Sequence, residues 1–315
     1  MSGHVAITVG HFDGAHQGHC RLVGAARDAV GPNGRVVVLS FDPSPLSILH
    51  PASAPARLTH LRQRSEWLIR AGATEVLPLV PTREMLDESA ETFLRRIVSQ
   101  FNVGVIVEGQ DFRFGRKRQG SVQTLGQFES ELGYRTIIID PVETTLDDHS
   151  VVRVSSTMIR WMIRHGRVAD AAHMLGRPYE LIGDVVSGDK RGRTIGFPTS
   201  NLNCGDQLLP ANGVYAGRAH HPDGNTYAAA ISVGTKPTFQ ESDAICEAYL
   251  LDYDGPVDDY HWSMRLEFHA WIRGQVAFPG VDPLLEQMDR DVERTRRVLA
   301  VNAPTWRSPV EFHGG

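Results

Sequence analysis

A chain of 315 residues is longer than one ordinary hydrophobic core comfortably serves, so two domains are expected. Hydrophobic residues at 41% and charged residues at 22% set a normal globular balance, with material for a core in each half. A net charge of −5 argues against a nucleic-acid binder driven by bulk charge, and no apolar run is long enough to span a bilayer.

In chain order, the start lacks the basic-then-apolar profile of a signal peptide, so a cytoplasmic protein is expected. Cys20, Cys204 and Cys246 are far apart and odd in number, which suits reduced thiols rather than a disulfide framework or a zinc site. Val- and Ile-rich runs at 5–9, 35–41, 75–80, 103–108 and 135–140 read as strands. Helical spacing recurs between them at 61–71, 90–101 and 125–132. That alternation predicts βαβ units around a parallel sheet buried on both faces. Two short helices are expected at 153–163 and 168–175.

The character changes at Gly176-Arg177-Pro178, which sets expected domains of 1–177 and 178–315. Segments 181–187, 213–220, 226–232, 245–253 and 263–272, punctuated by Gly, Asn and Asp, predict an antiparallel β-barrel. A helix over 283–299 closes it, with Leu284, Leu285, Met288, Val292 and Leu299 as its apolar stripe. The basic run Arg294-Thr-Arg-Arg297 on this helix reads as a solvated face.

The segment Gly10-His-Phe-Asp-Gly-Ala-His-Gln-Gly-His19 follows the first strand and opens the first helix. Ligands bind at that end of a parallel strand. Gly10, Gly14 and Gly18 allow tight turns and close backbone approach, and the helix N-terminus suits phosphate. His16 and His19 lie three apart and face one point, from which both imidazoles can donate to developing phosphate charge. A βα turn with two surface histidines is the plainer alternative. No matching Cys or carboxylate set supports zinc.

This segment resembles the signature of the HxGH nucleotidylyltransferases, specifically the bacterial FAD synthetases. Gly109-Gln-Asp-Phe-Arg-Phe-Gly115 is similar to that family's flavin-side loop, and Val154-Ser-Ser-Thr-Met-Ile-Arg160 to its second ATP motif. The resemblance implies that His16 and His19 are catalytic. It also implies that Gly10, Phe12, Asp13, Gly14, Gly18, Asp111, Ser155, Ser156, Thr157 and Arg160 hold substrate. Physically, the hydroxyls at 155–157 can cap a helix and reach phosphate, and Arg160 can neutralise it. The implied reaction is attack of an FMN phosphate oxygen on the α-phosphorus of ATP, with no protein nucleophile. Ser44 departs from the pattern, in a place where the family usually carries histidine.

The stretch 188–201 is Gly-rich and basic, but it is neither a Walker A loop nor a Gly-x-Gly-x-x-Gly pattern. Thr199 and Asn201 place side-chain oxygens two residues apart, on one side of an extended segment, and hard oxygens suit Mg2+ carried by ATP. Gly196-Phe-Pro-Thr-Ser-Asn201 closely resembles the motif of riboflavin kinases. Segments 209–216, 233–239 and 246–252 continue the match. This resemblance implies Glu247 as general base for the ribityl 5'-hydroxyl and Thr199 and Asn201 as metal ligands. It implies Gly188, Gly192, Gly196, Pro198 and Arg273 as the nucleotide- and flavin-binding remainder. His261, Ser232 and Gln275 depart from the family's usual Gly, Asn and Glu.

The expected protein is therefore a bifunctional enzyme using riboflavin, FMN and ATP with Mg2+. No nucleic-acid or membrane partner is expected, and a homo-oligomer is left open. Ser44 and His261 keep open a relative acting on a modified flavin or with one active domain. A flavin- or nucleotide-binding regulator without catalysis is the reading from another class.

Overall fold

The structure is a computed structural model that describes residues 5–188, 192, 196–235, 244–256 and 259–301. By packing, these residues divide into two compact units, 5–144 with 151–156, and 145–150 with 157–301.

The first unit is built on strands β1 (Val5–Gly10), β2 (Arg35–Phe41), β3 (Glu75–Leu79) and β4 (Val105–Gly109). A short antiparallel pair, β5 (Arg113–Phe114) with β6 (Gly120–Ser121), follows β4, and β7 (Arg135–Ile139) completes the sheet. The five main strands run parallel in the order β3-β2-β1-β4-β7. Helices α1 (Gln17–Val30) and α3 (Leu61–Arg70) cover one face, where Val23, Ala26, Trp67 and Leu68 pack on Ala6, Val36, Val38, Val105 and Val107. On the other face, Ile7, Val9, Val37, Leu39 and Ile106 meet α5 (Ala90–Phe101) and α6 (Val122–Leu132). Successive strand residues point to opposite faces, so a near-continuous apolar run is what a doubly covered sheet demands. In α5, Ala90, Phe93, Leu94, Ile97 and Val98 are the buried stripe, and Ser89 caps its start by accepting from Thr92 N at 3.0 Å. The short helices α2 (Pro45–Leu49) and α4 (Arg83–Leu86) were not legible, because neither buries a residue.

Strands β8 (Glu143–Thr145) and β9 (Val151–Arg153) form a hairpin. Helices α7 (Ser156–Arg164) and α8 (Val168–Leu175) follow. Both helices pack with the second unit, where Ala211 N donates to Ile163 O at 3.1 Å.

The second unit is a closed antiparallel barrel of β10 (Tyr179–Val186), β11 (Ser200–Asn203), β12 (Gly213–His220), β13 (Thr226–Thr235), β14 (Ala244–Leu250) and β15 (Ser263–Arg273). Its strand order is β10-β11-β14-β13-β12-β15. Leu181, Leu202, Ile231, Val233, Cys246, Ala248, Leu266 and Phe268 fill the interior. Strand β11 escaped the sequence reading because Ser-Asn-Leu-Asn carries a single apolar residue. Helix α9 (Val281–Val301) lies on β12, β13 and β15. Of its expected stripe, Leu299 is buried and Leu284, Leu285, Met288 and Val292 are half-buried, while Asp291 and Thr295 are buried beside them. Arg294, Arg296 and Arg297 are exposed, and Arg296 and Arg297 pair with Asp252 and Glu293.

One cluster on the barrel wall ties stability to pH. Glu267 of β15 accepts from His220 Nε2 at 2.8 Å and His269 Nε2 at 3.0 Å. Burial opposes ionisation there, but the two imidazole donors outweigh it and hold the carboxyl down at about 2. A folded-state value below the unfolded one means the unfolded chain binds more protons, so this contribution is complete above the usual carboxylate range. It is lost as pH falls through that range toward 2. In acid unfolding, the stability gap between the native protein and Glu267→Gln should shrink by roughly 2 kcal/mol across that interval. Parallel curves for the two proteins would remove Glu267 from this role.

Candidate active sites

The strand order of the first sheet reverses between β1 and β4, and there the carboxyl ends open a crevice. A pocket of about 220 Å3 occupies it, lined on the β1–α1 side by Gly10, Phe12, His16, Gly18 and His19. Asp111, Phe112, Asp140 and Arg153 line other parts of its wall. The bend from β1 into α1 runs through left-handed backbone at Phe12 (φ 51°), Gly14 (φ 85°) and Ala15 (φ 41°). At Gly10 a Cβ would stand 3.1 Å from the Phe12 ring, a tight approach that glycine avoids. His16 is the N-cap of α1, and its Nδ1 accepts from His19 N at 3.3 Å. That bond puts the proton of a neutral ring on Nε2, where it can donate to a ligand. The His16 and His19 rings stack with centroids 3.6 Å apart, so both side chains face the pocket from the positive end of α1.

The residues expected to hold substrate divide into two groups. Gly10, Phe12, Gly18 and Asp111 line the pocket with the two histidines. Asp13 is turned away from it. Its buried carboxylate accepts from Leu58 N and from Thr59 N, both at 2.9 Å, and Gly14 N donates to Thr59 Oγ1 at 2.9 Å. These two fasten the loop before α3 rather than facing the pocket. Ser156 Oγ donates to Asp13 O at 2.8 Å, which ties the Ser-Ser-Thr segment to the histidine loop. Ser155 is half-buried just before α7; Thr157 is exposed on that helix, and Arg160, one turn on, is buried. Asp111 forms an ion pair with Arg153. Ser44 is the N-cap of α2, its Oγ accepting from Leu46 N at 3.3 Å.

Sequence reasoning missed Arg64, which is 1% exposed. Its guanidinium donates to His11 O at 2.6 Å, Phe41 O at 3.1 Å and Asp42 Oδ1 at 2.8 Å. It therefore joins the loops after β1 and β2. On α3 it looks like an ordinary solvated arginine, and no spacing distinguishes it. Glu108, also missed, was the last residue of an expected apolar strand; a carboxylate inside such a run was the available signal.

In the barrel, β11 and β13 flank β14, so Asn201, Glu247 and Ser232 form one cross-strand row. Their neighbours Leu202, Cys246 and Val233 point inward, so this row is on the outer wall, half-exposed. Two glycines of the preceding loop close on it. A Cβ on Gly188 would sit 2.1 Å from Asn201 Nδ2, and one on Gly192 would sit 2.3 Å from Phe197 O and 3.5 Å from Thr199 Oγ1. Gly196 takes φ 86°, and Pro198 leads into Thr199. The loop's basic residues Lys190, Arg191 and Arg193, and segment 236–239 of the expected motif, lie outside the described residues.

Arg273 clasps buried Asp291 on α9, with contacts of 2.9 Å and 2.7 Å, and so anchors that helix. The departures at 232 and 275 are a single contact, Gln275 Nε2 donating to Ser232 Oγ at 3.0 Å, beside Glu247 in the row. His261 holds φ 67°, a conformation that favours glycine. Cys20, Cys204 and Cys246 are free thiols. No group of three His, Cys, Asp or Glu side chains among the described residues could hold a metal.

Two catalytic-looking constellations on two unlike folds are matched by two families. The FAD synthetase family profile matches residues 2–158, and the riboflavin kinase profile matches residues 175–299. The bifunctional riboflavin kinase/FMN adenylyltransferase of Escherichia coli strain K12 is 33% identical over 300 residues, covering 95% of this chain and 94% of its own. This chain belongs to that family. The Haemophilus influenzae member is 32% identical, covering 92% of this chain and 93% of its own. The Bacillus subtilis member is 32% identical, covering 93% and 92%. A crystal structure described as a macrolide-efflux protein from Streptococcus pneumoniae shares the fold, with a TM-score of 0.82 and 29% identity over 94% of this chain and 95% of that one. No helix among the described residues of this family member is long and apolar enough to cross a membrane.

Proposed function

We propose that residues 178–315 phosphorylate riboflavin to FMN and residues 1–177 adenylylate FMN to FAD, both with ATP. The observation that carries this reading is the pairing of two sites in one chain: the stacked His16–His19 pair in the β1–β4 crevice, and the Asn201–Glu247–Ser232 row on the barrel. The family membership supports it.

In the adenylylation, His16 and His19 donate to the phosphates of ATP while an FMN phosphate oxygen attacks the α-phosphorus and pyrophosphate leaves. Positioning and charge stabilisation carry the rate, because no protein atom forms a bond to substrate. In the kinase reaction, Glu247 takes the proton of the ribityl 5'-hydroxyl as that oxygen attacks the γ-phosphorus. Thr199 and Asn201 offer neutral side-chain oxygens, a donor set that fits Mg2+ carried on nucleotide phosphate, and Gly188 and Gly192 leave no room for a Cβ beside Asn201 and Phe197 O. Bound there, Mg2+ would supply neutralisation of phosphate charge. The chain's own part is to hold those oxygens in register with Glu247.

Incubation of the protein with riboflavin, ATP and Mg2+, followed by chromatographic separation of flavins, should show FMN and then FAD. Accumulation of FMN alone would limit the activity to the kinase, and no product would overturn the reading. Asn201→Ala should raise the Mg2+ concentration needed for half-maximal FMN formation by about 10–100-fold, the cost of one charge-assisted contact. An unchanged Mg2+ titration would take Asn201 out of the metal shell.

A further inference from the structure

Strands β1 and β4 pair only at Ala6↔Val105 and Ile7↔Ile106, and beyond that point they part. Glu108 sits in the opening. It is 2% exposed, its Oε1 accepts from Val9 N at 2.6 Å, and it lines the pocket that also holds His16 and His19. A carboxyl replaces the missing ladder partner of Val9, which a backbone carbonyl or an amide would do without burying an ionisable group. Nothing in the adenylylation described above uses it.

We propose that Glu108 is a substrate-binding residue of the adenylyltransferase site, a neutral carboxylic acid whose hydroxyl donates to a phosphate oxygen of a bound substrate. One oxygen accepts from Val9 N, the Thr8 hydroxyl also bears on the carboxyl, and the side chain lines the pocket. The crevice lies beside the N-terminus of α1, where phosphate collects. An ionised carboxylate there would repel it, whereas the acid form attracts it. Burial pushes the Glu108 carboxyl well above its usual range and outweighs the opposing hydrogen bonds from Val9 N and Thr8, which favours the acid form. The other charged or titratable groups on this pocket are His16 and His19 at the start of α1, Asp111 after β4, Asp140 after β7 and Arg153 of β9. Asp111 is paired with Arg153, and Asp140 accepts from Gln110; β1 supplies no titratable group.

The inference rests on the adenylyltransferase reading of the first site. Its test is FAD formation from FMN and Mg-ATP across alkaline pH, with riboflavin phosphorylation by the same protein as the control for folding. The native enzyme should lose kcat/KM as pH rises through the ionisation of Glu108. Glu108→Gln keeps an acceptor for Val9 and a donor for phosphate, so it should fall only severalfold at neutral pH and lose that alkaline limb. Glu108→Leu should fall by about 10–100-fold, the cost of a hydrogen bond to a charged group. A rise in KM for ATP alone would place the contact on ATP, and a rise for FMN alone would place it on FMN. An alkaline limb that persists in Glu108→Gln would overturn the proposal. So would a collapse of that variant with the kinase intact, because the carboxylate form would then be the working one. A native protein that forms FMN but no FAD would overturn the adenylyltransferase reading itself, and this inference with it.

Discussion

Replacing Glu247 by Gln should lower FMN formation from riboflavin by about 10²–10⁴-fold, the usual contribution of a general base. The side chain keeps its size and its place between Asn201 and Ser232, so the barrel should be undisturbed. FAD formation from added FMN should be spared, because the histidine pair and its pocket belong to the other packing unit. Assaying both reactions on one preparation gives the variant its own control. A common loss of both activities, with thermal unfolding unchanged, would contradict the separation of sites. A kinase activity within a few-fold of the native protein would remove Glu247 as the base.

The second large effect is expected at His19. Removing one preorganised donor from a site of developing charge typically costs about 10²–10³ in rate. His19→Ala should therefore nearly eliminate FAD formation and leave FMN formation alone. It is a cleaner substitution than one at His16, for a reason visible in the helix start. The N-cap bond runs from His19 N to His16 Nδ1, and alanine keeps that backbone donor. His16→Ala would remove the cap as well as the imidazole, mixing a stability cost of about 1 kcal/mol with the chemical one. A His19→Ala protein that still forms FAD at the native rate would show that the stacked pair does not face the reacting phosphates.

The sequence by itself determined the two architectures. A β-branched run as short as Arg-Val-Val-Val-Leu-Ser-Phe at 35–41 suits a strand covered on both faces, and alternation such as that of 263–272 suits a strand with one face inward. It also placed the glycine- and histidine-rich motif at the β1–α1 turn, because the backbone demands of a tight βα turn are local. Strand β11 was not legible, since four residues with one apolar side chain form a strand only when β10 and β14 supply partners.

What each motif residue does was decided by tertiary structure. Asp13 and His16 stand three apart in one motif, yet one fastens residues 58 and 59 while the other lines the pocket. Arg273 grips Asp291, eighteen positions away on a helix. Arg64 and Glu108 looked like a surface charge and a strand end, yet both side chains are buried against loop and strand backbone. A side chain's partners depend on which distant backbone groups the fold leaves without a hydrogen bond, and periodicity along the chain carries no record of those groups.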